Sequence, residues 1–172
     1  MKEITPDFYK DFHCIGGACR HNCCIGWDVE IDEDTADFYR SIGGEMGKRF
    51  AKEVRYGKEG AAFRMGADRR CPFLNRQNLC DIITDIGEGG LCQICADHPR
   101  FRADFSDRIE FGLGMACEEA ARLLLTHEEP LRLVVAGDDG EDEGQTEEEQ
   151  RFFGRRAALL TIAQDRTYPV YE

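Results

Sequence analysis

The sequence predicts an α+β fold: a small cysteine-rich domain of short helices and hairpins organised around a metal or iron–sulfur site, followed by a C-terminal helix. Three observations predict it. Nine cysteines occur in 172 residues, and four of them (Cys14, Cys19, Cys23 and Cys24) fall within eleven positions. Between residues 27 and 126 short strand-like and helix-like segments follow one another with frequent glycine and proline breaks. After an acidic run, Thr146-Glu147-Glu148-Glu149 has the capping-box pattern and opens an apolar helical repeat.

Taken in order, Trp27 to Ile31 alternates as a brief strand. Asp32 caps a helix that runs to about Ile42, where Gly43-Gly44 closes it. Residues 45–56 read as a second helix, with Phe50 and Val54 facing inward. Ala62 to Met65 reads as a strand. Cys71-Pro72-Phe73-Leu74 and Leu79-Cys80 flank a polar turn, and a hairpin there brings Cys71 near Cys80. Asp81 to Ile86 forms a short helix ended by glycines. Arg102–Phe105 and Arg108–Leu113 make a second hairpin around Ser106-Asp107. Cys117 opens a helix to about Thr126. Beyond Thr146, the residues Phe152, Phe153, Ala157, Leu160, Ile162 and Ala163 mark an amphipathic helix ending near Arg166.

The length supports one main domain. The expected division is a cysteine-cluster domain over 1–136, an acidic linker over 137–149 and the start of a C-terminal helical module over 150–172. Residues 137–149 hold eight carboxylates, which read as a solvated, self-repelling loop. A net charge of −12 argues against nucleic-acid binding, which needs a basic footprint, and against anionic membrane surfaces. No apolar run approaches the roughly 18 residues of a membrane span, and the N-terminus has no secretory pattern. The expected compartment is the cytoplasm, where thiols stay reduced. That compartment and the odd cysteine count favour a metal or an iron–sulfur cluster over a disulfide framework.

Several metal chemistries are open to these thiols. Zinc takes four thiolate or imidazole ligands from short knuckles; Cys92-x2-Cys95 and Cys19-x3-Cys23 are candidate pairs. Cys14-x4-Cys19-x3-Cys23 comes within one residue of the plant-type ferredoxin pattern. Position 26 is glycine, so the three-cysteine radical-SAM pattern is not met. His13 and His21 flank the first cluster, and His127 sits near a helix C-terminus, where capping is the simplest role. Trp27 reads as a core aromatic beside the cysteine site. Dinucleotide, Walker, nucleophile-elbow and H-E-x-x-H signatures are missing.

The cysteine string as a whole resembles a known group. Cys19-x3-Cys23-Cys24, Cys71-Pro72-Phe73-Leu74, Cys80, a cysteine preceding Pro99-Arg100, and Cys117 look like the cysteine-cluster proteins described as zinc- or iron-chelating. More closely, Ile4-Thr5-Pro6, the string from Cys14 to Gly26-Trp27, and the closing Asp165-Arg166-Thr167-Tyr168-Pro169 resemble the flagellin lysine-N-methylases. The resemblance implies a bacterial cytoplasmic methyltransferase that moves methyl groups from S-adenosylmethionine to lysines of flagellin and carries an iron–sulfur cluster, with 4Fe-4S expected and zinc as the alternative. By position it carries the metal role to Cys14, Cys19, Cys23, Cys24, Cys71, Cys80, Cys95 and Cys117, leaving Cys92 as the extra thiol. It assigns no catalytic residue and no cofactor-binding residue. Family members are longer, so the 150–172 segment is expected to open a module that continues. The competing reading is a non-catalytic zinc- or iron-chelating module.

Overall fold

The structure is a computed structural model that describes residues 1–137 and 144–167. Residues 138–143, most of the expected acidic linker, and the tyrosine-rich close at 168–172 lie outside the described residues. The described chain is α+β, with helices and two sheets in two compact units. One comprises residues 1–12, 100–113 and the chain from 122 onward; the other comprises 13–99 and 114–121.

The second unit contains all nine cysteines. After a 3-10 turn at Gly16–Ala18 come β2 (Glu30–Ile31), α1 (Glu33–Ser41) and α2 (Gly44–Glu53). Asp32 caps α1 as expected, its carboxylate accepting from Thr35 N–H. Gly43 does not close α1; it is the N-cap of α2. The second helix also ends earlier than its periodicity suggests. Val54–Gly57 leaves it as strand β3 and pairs antiparallel with β4 (Gly60–Phe63). The reason is packing: Val54 is buried and registers against Phe63, and a β-branched residue suits a pleated surface better than another helical turn. The resulting three-stranded sheet has the order β2-β4-β3.

Its core is aromatic. Tyr39 stacks on Phe50 with ring centroids 3.9 Å apart, Phe50 meets Phe73 at 4.9 Å, and Phe73 meets Phe63 at 5.1 Å. The buried Tyr39 hydroxyl donates to the Gly90 carbonyl at 2.7 Å, which removes the cost of an unpaired polar group. Gly90 leaves little room beside it: a Cβ there would sit 2.5 Å from Cδ1 of Ile86, so the Ile86 side chain would have to shift. Short helices α3 (Asp81–Ile86) and α4 (Gln93–Asp97) carry cysteines at their N-caps, Cys80 and Cys92. Where a full hairpin is expected between Cys71 and Cys80, the structure has one bridge, Leu74 to Cys80. The Asn75 side chain shortens the pairing by accepting from Gln77 and Leu79 N–H, folding the turn on itself.

The first unit is built on a four-stranded sheet of order β5-β6-β1-β7. β1 (Lys2–Pro6) runs parallel to β6 (Arg108–Leu113) and antiparallel to β7 (Leu133–Ala136), and β5 (Arg100–Asp104) pairs with β6. Phe101 and Gly112 are cross-strand partners, and the Phe101 ring covers the space a Gly112 side chain would take. Helix α5 (Glu118–Leu125) precedes β7. Helix α6 (Glu147–Gln164) has the expected capping box, with Thr146 and Glu149 exchanging hydrogen bonds. The Glu149 carboxylate also accepts from Ser106 N–H at 2.8 Å, and Phe105 packs with Phe152 and Phe153, so α6 belongs to the sheet's unit. No helix among the described residues is long and apolar enough to cross a membrane.

Candidate functional site: a gathering of thiols

The cysteines are brought together by ordinary local structure. Cys24 C=O accepts from Cys71 N–H at 2.8 Å, which ties the first cysteine run to the Cys71-Pro72-Phe73-Leu74 segment. Asn22 caps the run, its side chain accepting from Cys24 N–H at 2.9 Å. Trp27 packs partly buried against the core, and its indole N–H donates to Cys23 C=O, as a core aromatic beside the thiols is expected to do. Gln93 N–H donates to the Asp32 carboxylate at 2.8 Å, fixing the start of α4, and with it Cys92 and Cys95, against the cap of α1.

Two neighbourhoods result. In the inner one, the Cys24 thiol interacts electrostatically with Cys23, Cys71 and Cys80, and the Cys95 thiol with Cys92, Cys24 and Cys71. Cys71 and Cys92 belong to the buried core, and Cys24, Cys80 and Cys95 pack against it. In the outer one, Cys19 interacts with Cys14, Cys117 and, more weakly, Cys23. The Glu118 carboxylate holds this part in place, accepting from Arg20 N–H at 2.7 Å and His21 N–H at 3.1 Å. Cys92, the thiol that the family string leaves over, lies in the inner neighbourhood. Cys14 and Cys117, which the string includes, lie in the outer one. His13 and His21 are exposed.

Within the inner group the thiols are unequal. The Cys24 thiol donates to Cys23, which brings the Cys23 thiol down to about 7. Cys24, as the donor and half-buried, is pushed up. The same relation holds one helix away, where Cys95 donates to Cys92, lowering Cys92 and raising itself. Burial pushes Cys71 up to about 11 and also raises Cys80. In each pair one thiol is lowered by its neighbour, and the thiolate is the form that binds metals and reacts.

The nine thiols are all free, and their chemistry suits a thiophilic metal. Their arrangement does not yet make a binding site: among the described residues, no three His, Cys, Asp or Glu side chains converge to hold a metal ion. The α+β class of the fold is as expected, whereas an organising metal centre is not seen in it.

Sequence reasoning missed one polar feature entirely. His127, placed by its position as a helix cap, turns its ring toward Asp7, with Nε2 3.3 Å from Oδ2. The two residues are 120 positions apart, so no local signal marks the pair.

Comparison with known proteins gives a consistent direction. The chain is 27% identical over 145 residues to proteins named lysine-N-methylase in Salmonella choleraesuis and Salmonella typhimurium. The match covers 77% of this chain and 35% of each relative, so the chain spans about a third of their length. It is also 26% identical over 145 residues to the flagellar biosynthetic protein FliU of Salmonella muenchen, covering 84% of that protein. No family model matches the chain, and no solved structure does.

Proposed function

We propose, from the chain's membership of the flagellin lysine-N-methylase family, that it acts in protein-lysine N-methylation, with flagellin as the substrate and S-adenosylmethionine as the methyl donor, in the cytoplasm. The observation that carries this reading is the match of 145 residues to relatives named for that activity, together with a relative named for flagellar biosynthesis. Methyl transfer to lysine is an in-line displacement. It needs a neutral amine aligned with the sulfonium methyl in a site that excludes water. The free pKa of lysine is about 10.4, so the protein has to provide a proton acceptor.

The reading includes an iron–sulfur cluster held by four of Cys14, Cys19, Cys23, Cys24, Cys71, Cys80, Cys95 and Cys117. The thiol chemistry supports it; among the described residues these side chains do not converge on one point, so holding a cluster requires the thiols to draw together. Iron and sulfide analysis of anaerobically purified protein tests this part: stoichiometric iron and sulfide in a coloured protein identify a cluster, and stoichiometric zinc in a colourless protein identifies the alternative.

One observation favours a second reading. Nine free thiols, all within one compact unit, suit a cysteine-cluster module that chelates zinc or iron without catalysis. Labelled S-adenosylmethionine and flagellin separate the two: methyl groups appear on flagellin lysines in the first case and not in the second.

A further inference from the structure

The unit built on the four-stranded sheet contains a cleft of about 240 Å³, between the segment that follows α5 and the end of α6. Leu124, Leu131 and Leu160 form apolar wall, and His127, Glu129 and Arg166 supply polar groups. The His127 ring is held on two sides. Phe8 packs against it with centroids 5.8 Å apart, and Asp7 meets Nε2 at ion-pair distance, 3.3 Å, with no hydrogen bond formed to that nitrogen. Asp7 is itself fixed, accepting from Phe8 N–H at 3.1 Å and from Arg132 N–H at 3.3 Å. A carboxylate set at one imidazole nitrogen stabilises the imidazolium that forms when the other nitrogen takes a proton.

We propose that this cleft takes the side chain of a substrate lysine and that His127, backed by Asp7, accepts its ammonium proton. The proposal rests on the lysine-methylation reading and gives it a substrate subsite. Leucine walls suit a four-methylene stem, whose burial is favourable. The Glu129 carboxylate attracts the ammonium head. Arg166 opposes it; its guanidinium donates to the Glu128 carbonyl at 2.8 Å, which orients the group and leaves its charge, and the Asp7 carboxylate adds negative charge from behind the His127 ring. In the step itself, the ammonium N–H bond breaks and the proton goes to His127 Nδ1. The amine lone pair then forms the N–C bond to the methyl of the sulfonium donor, and the S–C pair stays on sulfur as a neutral thioether. The methylated ammonium leaves and His127 returns its proton to solvent.

Methyl-resolved NMR of the full chain with Nα-acetyl-lysinamide tests the subsite directly. Shifts are expected at Leu124, Leu131 and Leu160, with weaker ones from Nα-acetyl-norleucinamide, which lacks the charge. Glu129→Gln, an exposed substitution, should weaken lysinamide binding about fivefold, the size of one exposed ion pair. In methyl transfer, His127→Gln should lower the rate at pH 7 about 100-fold, keep lysinamide binding, and recover as pH rises toward 10. Lysinamide shifts elsewhere or nowhere, or a deficit equal at every pH, would overturn the proposal even if the wild-type chain transfers methyl groups. A wild-type chain that transfers nothing would sink the methylation reading, and the NMR would still decide whether lysine enters the cleft.

Discussion

Arg156 holds Glu110 with two hydrogen bonds, of 2.5 and 2.8 Å, joining α6 to β6 across 46 residues. The Glu110 side chain is 12% exposed and that of Arg156 29%, and Arg108 stands 4.0 Å from the same carboxylate as a second cation. The Arg156 guanidinium also lies over the Phe153 ring at 5.0 Å. Removing one partner of a buried ion pair leaves an uncompensated charge. With Arg108 still beside Glu110, Arg156→Ala should cost about 1–2 kcal/mol, less than a fully buried pair, read from the urea midpoint. Arg156→Ala with Glu110→Gln should recover much of it. A loss under 0.5 kcal/mol (about the size of a neutral surface change) would show that the pair does not hold α6.

Asp107 gives the sheet's unit an acid limit. The Arg108 guanidinium donates to both of its oxygens at 2.8 Å, with Gln145 adding a third bond at 2.9 Å, and this holds the carboxyl down to about 2. A carboxyl lowered on folding stabilises the fold above its unfolded value, near 3.9, and that stability disappears as pH falls toward 2. The stability gap between the wild type and Asp107→Asn should be constant from pH 5 to 7 and close between about pH 4 and 2. A gap that persists unchanged at pH 2 contradicts this.

Gly90 tests the aromatic core. A methyl group there meets Ile86, and the same residue's carbonyl accepts from Tyr39. Gly90→Ala should cost about 1–3 kcal/mol through overpacking. Ile86→Val removes the Cδ1 atom in the way, so in the double variant the two effects should not add. Thermal unfolding of the four combinations measures the coupling, and strict additivity would contradict the contact.

Glu118 anchors the outer thiols. Its carboxylate accepts from Arg20 and His21 N–H, and these contacts hold it below the usual carboxylate range. Glu118→Ala should speed hydrogen exchange at Arg20 and His21 while leaving Phe50 and Phe73 protected. Unchanged exchange at the two loop amides would show that the loop is held by something else.

Much of the local structure was legible in the sequence because its signals are short-range. The Asp32 cap, the Asp81–Ile86 helix and the Thr146–Glu149 box each depend on residues within four positions. What was not legible is held by distant partners. β1 has the unpromising sequence Lys-Glu-Ile-Thr-Pro and is a strand because Lys2 registers with Arg108 on one side and Glu3 with Ala136 on the other. Val54–Gly57 continues a helical pattern and becomes a strand because β4 pairs with it. The gathering of thiols follows the same rule. Spacing marks Cys92 and Cys95 as a pair, but only the fold sets them near Cys24 and Cys71.

Lysine methylation is tested by incorporation of labelled methyl from S-adenosylmethionine into flagellin by the anaerobically purified chain, with mass spectrometry of the flagellin lysines. Mono- or higher methylation is expected at lysine side chains, dependent on the chain and on the donor. Flagellin that stays unmodified with a folded chain, and still does when the chain is loaded with iron and sulfide, would contradict it.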